Sequence, residues 1–309
     1  MHNPSFPAHL QIAELGEAGR IGFLEAGAGS RPPLLLVHGS LCDYRYWHPQ
    51  IAALAAHQRV IVVSLPFYFP VAQQPAATAF SVDAHADALH ALVVAQGWTD
   101  VTLVGHSRGG SVCFQFAKRH PAALAALVLA DPGGQIVDQR LDGSGFDADE
   151  VACNPADGAA SPQGRGAMYD SADPRMVATR LIERGDVDAG LELFVDTVSR
   201  PGFWRRSGAA FQGMARDNAH TLSAQMRDAL PTYTRDAAQR IAVPTLLLNG
   251  EKSPAVFLTA GAALEQWIPD VRRVAMKGAS HGMNLSHAGE FNRLVQGFAD
   301  DVQALPAQV

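Results

Sequence analysis

Residues 101–119 read Val-Thr-Leu-Val-Gly-His-Ser-Arg-Gly-Gly-Ser-Val-Cys-Phe-Gln-Phe-Ala-Lys-Arg, and this stretch decides the fold. Val101 to Val104 form an apolar run of strand length and β-branched character. Val112, Phe114, Phe116 and Ala117 recur among small residues, as in a helix that buries one face. Between the two lies Gly105-His106-Ser107-Arg108-Gly109, which fits G-x-S-x-G. A strand that turns at once into a helix forces its central residue into a strained backbone conformation, and flanking glycines let the chain pass close by. Ser107 is then expected at the carboxyl end of a sheet, at a helix N-terminus whose free N–H groups favour negative charge. That is the setting of a nucleophile.

Outward from the elbow, apolar runs alternate with helical stretches. Residues 10–15, 20–26, 34–37, 59–64, 101–104, 124–130, 244–249 and 272–276 read as strands. Residues 50–57, 81–96 (with Ser81 as N-cap), 255–267 and 290–302 read as helices between and after them. This alternation implies a mostly parallel sheet of eight strands covered by helices on both faces. It breaks after Asp131-Pro132-Gly133-Gly134. Residues 135–236 contain Gly-, Asp- and Ser-rich stretches and then helical pieces at 175–184 and 189–199, and they are read as an inserted, mainly helical lid. The core is therefore expected in two parts, 1–134 and 237–309.

Bulk properties narrow the function. The 309 residues carry a net charge of −6, are 48% hydrophobic, and show no Lys/Arg run, so a nucleic-acid partner is not expected. No apolar stretch approaches the ~20 residues of a membrane span. Neither a basic start nor an apolar core of a signal peptide is seen in the first 15 residues, and three scattered cysteines do not make a disulfide framework. A cytoplasmic protein with reduced thiols and a small-molecule substrate is the expectation; the oligomeric state is left open. Gly27-Ala28-Gly29 is followed by two prolines rather than a helix, so a dinucleotide site is not expected. No histidine pair has metal-ligand spacing, and neither metal nor cofactor is called for.

The chain resembles the α/β-hydrolase fold superfamily, in its lid-bearing serine hydrolase branch. Three motifs in order carry the resemblance: His38-Gly39 after the third strand, Gly105-His106-Ser107-Arg108-Gly109 after the fifth, and Ser280-His281-Gly282 after the last. The resemblance covers the chain outside the lid. It implies that Ser107 is the nucleophile, that His281 is the general base, and that the backbone N–H groups of Ser40 and Arg108 form an oxyanion hole. The usual place for the acid, in the loop after residues 244–249, falls near Ser253, which cannot carry a negative charge. Asp131, at the end of the strand after the nucleophile, is expected to replace it, with Glu251 the second choice. The Arg108 side chain is expected at the surface rather than on an acidic substrate. His38 is read as a structural loop residue and His106 as packing against the sheet. Tyr44, Tyr46, Phe203 and Trp204 are candidates for the substrate pocket, whereas Trp47 fits pocket and core equally well.

Hydrolysis of a small carboxylic ester or lactone through an acyl-enzyme, without a cofactor, is the expected activity. Carbon–carbon bond hydrolysis uses the same constellation. A hydroxynitrile-lyase-like enzyme, drawing on Ser40 and Lys252, and a triad-bearing ligand-binding receptor are the other readings of the same fold.

Overall fold

The computed structural model describes residues 10–137, 170–229 and 231–304. Among the described residues there are ten strands: β1 (Gln11–Glu14), β2 (Arg20–Ala26), β3 (Leu34–Val37), β4 (Val60–Ser64), β5 (Val101–His106), β6 (Leu124–Ala130), β7 (Gln135–Val137), β8 (Thr232–Thr234), β9 (Thr245–Gly250) and β10 (Val271–Met276). Eight of them form one sheet in the order β1-β2-β4-β3-β5-β6-β9-β10. β1 and β2 pair antiparallel with each other, β2 pairs antiparallel with β4, and the remaining pairings are parallel. All eight strands expected from the apolar runs are there, with ends shifted by at most two residues. The central parallel strands β3, β4, β5, β6 and β9 read as near-continuous apolar runs because both of their faces are buried, whereas the edge strand β10 is partly exposed.

Alternation sorts these side chains into two cores. Leu35, Val37, Ile61, Val63, Leu103 and Leu127 pack with the helices Val82–Ala95, Arg108–Arg119 and Ala255–Trp267. Leu34, Leu36, Val60, Val62, Val104 and Val128 point the other way, against His48–Ala55 and Ala288–Ala304. Ser81 caps its helix as expected, accepting from the Ala84 N–H at 3.0 Å. Gly27 lies at a turn with φ 76°, where a Cβ would sit 2.4 Å from the Gln58 carbonyl oxygen, so this glycine has a packing reason.

Among the described residues, five helices lie between the short parallel partners β7 and β8: Pro174–Glu183, Val187–Val198, Phe203–Arg206, Ala209–Asn218 and Thr221–Arg227. They enclose a third cluster that includes Leu191, Phe194, Trp204, Ala215 and Leu222 and reaches the core domain at Leu41. The loop-like first part of the expected insertion, 138–169, lies outside the described residues.

The strand order reverses about β3, since β4 lies on one side of it and β5 on the other. Loops leaving the carboxyl ends of β3 and β5 therefore diverge and leave a crevice, the place where ligands bind in open α/β sheets. Val37 is in register with Gly105, so both loops leave at the same level.

Candidate active site

The turn after β5 is as tight as its sequence demands. Ser107 has φ 54° and ψ −124°, a conformation that costs a non-glycine residue on the order of 1–3 kcal/mol. Two glycines make it feasible. A Cβ on Gly105 would lie 2.4 Å from the Gly109 carbonyl oxygen, and one on Gly109 would lie 2.3 Å from that of Val37. The Ser107 carbonyl accepts from the N–H groups of Gly110 (2.8 Å), Gly133 (3.2 Å) and Ser111 (3.3 Å), which locks the elbow. Arg108 begins the helix, and the amides at a helix start have no partner within the helix.

From the other side of the crevice comes the loop after β3. A Cβ on Gly39 would sit 3.0 Å from the Ser107 Cβ, so this loop runs directly beside the serine. Half-buried Ser40 follows, then Leu41 with φ 60°. Buried Asp43 fixes the loop by accepting from Arg45 Nη2 (2.6 Å), Arg45 Nε (2.9 Å) and Asn218 Nδ2 (2.8 Å). Asn218, at the end of an inserted helix, also accepts from the Phe69 N–H at 2.7 Å. One buried amide therefore ties the inserted helices to two core loops. Nothing in the sequence singled it out.

His281 arrives in the loop after β10, and three neighbours hold it while a fourth packs on the next residue. Its Nδ1 lies 3.2 Å from Asp131 Oδ2. Phe257 stacks on its ring, centroids 3.9 Å apart and planes 14° apart. His106, the residue before Ser107, lies against the ring with centroids 4.6 Å apart. His106 Nε2 donates to the His281 carbonyl at 2.7 Å, and Phe203 from the inserted helices packs on Gly282, where a Cβ would be 3.4 Å from the Phe203 ring. His106 thus does more than pack against the sheet: it pins the backbone of the second histidine. Burial, then the neighbouring His281, lowers its pKa to about 3, so it stays neutral and keeps the Nε2 proton it donates.

Asp131 directly follows β6, has φ 41° and is fully buried. Its Oδ2 also accepts from Ser253 Oγ (2.5 Å) and its Oδ1 from Asn249 Nδ2 (2.9 Å). Glu251 is exposed and accepts from the Gly278 N–H at 2.7 Å, bracing the turn that precedes His281. The structure brings Asp131 to His281; it gives Glu251 to that turn.

The remaining candidates divide. His38 is structural as expected: Nε2 accepts from the Leu65 N–H (3.1 Å), so the proton on Nδ1 goes to the Gly39 carbonyl (2.8 Å), and burial lowers its pKa to about 4. Tyr44 and Phe203 are half-buried. Tyr46 is buried in the second core with Trp47, its ring 5.2 Å from that of His106, and Trp204 is buried among the inserted helices. Lys252 is exposed.

The Arg108 side chain corrects the expectation of a surface role. Its guanidinium is buried, bonded at 2.9 Å to Asp228 at the end of an inserted helix, and lies over the Phe80 ring. Asp228 Oδ2 also accepts from the Val82 N–H at 3.0 Å. A spacing of 120 residues hid this pair from sequence reading. Asp228→Ala is expected to lower the unfolding free energy by about 3–5 kcal/mol, because it leaves a buried cation unpaired. Urea denaturation of the variant checks this.

Among the described residues, no group of three or more His, Cys, Asp or Glu side chains is arranged to hold a metal ion, and no helix is long and apolar enough to cross a membrane. Chemically, the site offers a strained serine at a helix start, an imidazole fixed in one orientation by a buried carboxylate, and two loops with backbone amides near the serine.

Comparison with known proteins agrees with this fold. A family model described as alpha/beta hydrolase fold matches residues 32–288. Lipase LipV of Mycobacterium tuberculosis is 38% identical over 111 residues, 36% of this chain and 39% of the lipase, so less than half of that relative's length is matched. The 2-hydroxymuconate semialdehyde hydrolase of a Pseudomonas species is 24% identical over 92% of both chains. Among solved structures, the esterase RhEst1 from a Rhodococcus species superimposes with a TM-score of 0.71 at 23% identity, covering 95% of this chain and 99% of the esterase.

Proposed function

The chain belongs to the alpha/beta hydrolase fold family, and from that premise we propose that it is a serine hydrolase acting on a small carboxylic ester or lactone. Ser107 attacks the carbonyl carbon. His281 takes the hydroxyl proton and passes it to the leaving oxygen, and Asp131 orients the imidazole and stabilises its charged form. The Ser40 and Arg108 N–H groups hold the oxyanion, each worth about 3 kcal/mol in the transition state. Water then attacks the acyl carbon, His281 takes its proton and returns it to Ser107 Oγ as the bond to the acyl group breaks, and the carboxylic acid leaves. The inserted helices from Pro174–Glu183 to Thr221–Arg227 serve as a lid, with Phe203 and Tyr44 on the substrate side.

One observation carries this reading: the His281 Nδ1 to Asp131 Oδ2 contact at 3.2 Å, with the same histidine packed against the residue before Ser107. A bare structural histidine has no need of a fully buried carboxylate. Carbon–carbon bond hydrolysis is the second reading, favoured by the relative of that activity, which is matched over 92% of its length. A panel of p-nitrophenyl esters of graded acyl length, lactones, and a vinylogous 1,5-diketone tests both. Turnover of esters or lactones supports the first reading, and turnover confined to the diketone overturns it in favour of the second.

A further inference from the structure

Asp131 sits in a cradle of donors that the reaction does not itself require. Ser253 Oγ donates to Oδ2 at 2.5 Å, to the same oxygen that faces His281. Asn249 Nδ2 donates to Oδ1 at 2.9 Å and to the Phe257 carbonyl at 3.2 Å. Behind it, Arg273 Nε lies 2.8 Å from Asn249 Oδ1, and Arg273 Nη1 pairs with Glu265 at 3.2 Å. These bonds admit one orientation of the amide. A guanidinium only donates, so the Asn249 oxygen must face Arg273 and its NH2 must face the carboxylate. Gly261 makes the room, since a Cβ there would lie 2.1 Å from Asn249 Oδ1.

We propose that Ser253 is a positioning residue, which shares Asp131 Oδ2 with His281 and so sets both the rotation of the carboxylate and the basicity of the imidazole, while Arg273 fixes the other carboxylate oxygen through Asn249. This rests on the serine hydrolase reading above. The hydroxyl withdraws electron density from the one oxygen that steadies the imidazolium. Without it, that oxygen holds the proton on His281 more strongly, and the carboxylate is free to rotate. The other groups facing the pair are His106, kept neutral by burial, and the Tyr46 phenol, whose ionisation burial pushes well above its usual range; Arg273 acts only through Asn249, and Glu251 is turned to the Gly278 amide.

The test is the pH profile of kcat/KM for Ser253→Ala and Arg273→Met beside the native protein, with fluorophosphonate labelling rates measured on all three and folding checked by circular dichroism. Ser253→Ala is expected to lower kcat about 3–10-fold with KM unchanged, and to move the acid limb up by about 0.5–1 pH unit, the shift of a lost hydrogen bond to a charged group. Arg273→Met, changed at a site away from the serine, is expected to lower kcat about 3-fold without a change in KM. An unmoved acid limb with kcat within twofold of native in Ser253→Ala overturns the proposal, as does a loss confined to thermal stability. Failure of the parent reading looks different: the native protein itself is then not labelled at Ser107.

Discussion

Ser107→Ala is expected to abolish ester turnover and fluorophosphonate labelling together, with kcat falling by about 10^4–10^6-fold and the fold unchanged. The size of the effect follows from the role. Without an oxygen at this position no acyl-enzyme forms, and His281 has no proton to accept; only binding and the oxyanion amides remain, which alone retain a small part of the acceleration. The turn should survive, because it is held by the Ser107 carbonyl and not by its hydroxyl: three N–H groups converge on that carbonyl at 2.8–3.3 Å. Alanine inherits the φ of 54° and with it the same strain, so stability should move by less than about 0.5 kcal/mol. Ser107→Gly separates the two quantities. It is equally inactive, yet it relieves a left-handed conformation and should be more stable than Ser107→Ala by about 1 kcal/mol. Mass spectrometry of the labelled protein and urea midpoints of the two variants measure this. Residual labelling of Ser107→Ala at the native rate would place the nucleophile elsewhere.

The particular residues show why the sheet was legible in the sequence and the wiring of the site was not. The central strands β3, β4, β5, β6 and β9 announced themselves because burial on both faces leaves mostly apolar side chains, a signal contained within each run of four to seven residues. The elbow did so because close backbone approach excludes a Cβ at Gly105 and Gly109. Asp131 could be read as a carboxylate at a sheet edge, but its three donors come from Ser253, Asn249 and His281, more than 110 residues away, and no local pattern reports them. The same holds for Arg108 and Asp228. Choosing pocket residues by aromatic type put half-buried Tyr44 and Phe203 beside Tyr46 and Trp204, which the fold buries in packing clusters, since side-chain chemistry does not say which face of an element a residue occupies. The short strands β7 and β8 went unread because three residues show no alternation long enough to count.

Asp131→Asn should cost about 10^4-fold in kcat, and Glu251→Gln no more than about twofold. The first figure rests on how an amide must sit in this cradle. Asn249, locked by Arg273, presents its NH2 at 2.9 Å to the Oδ1 position and accepts nothing there, so the oxygen of an asparagine at 131 has to occupy that place. Its NH2 then faces the position of Oδ2, 3.2 Å from His281 Nδ1. Ser253 can rotate its hydroxyl and accept. The imidazole can also accept, but only by moving its proton to the nitrogen directed at the serine, and a protonated nitrogen is no base. The variant is therefore disabled by the wrong tautomer, not by a collapsed site, and should bind substrate with nearly native KM. Glutamine at 251 still offers a carbonyl oxygen to the Gly278 N–H that Glu251 now meets at 2.7 Å, so the turn before His281 is kept. Steady-state kinetics on whichever ester is turned over compares the two directly. Equal, small losses in both would remove Asp131 from the reaction and leave the buried cradle without a catalytic purpose.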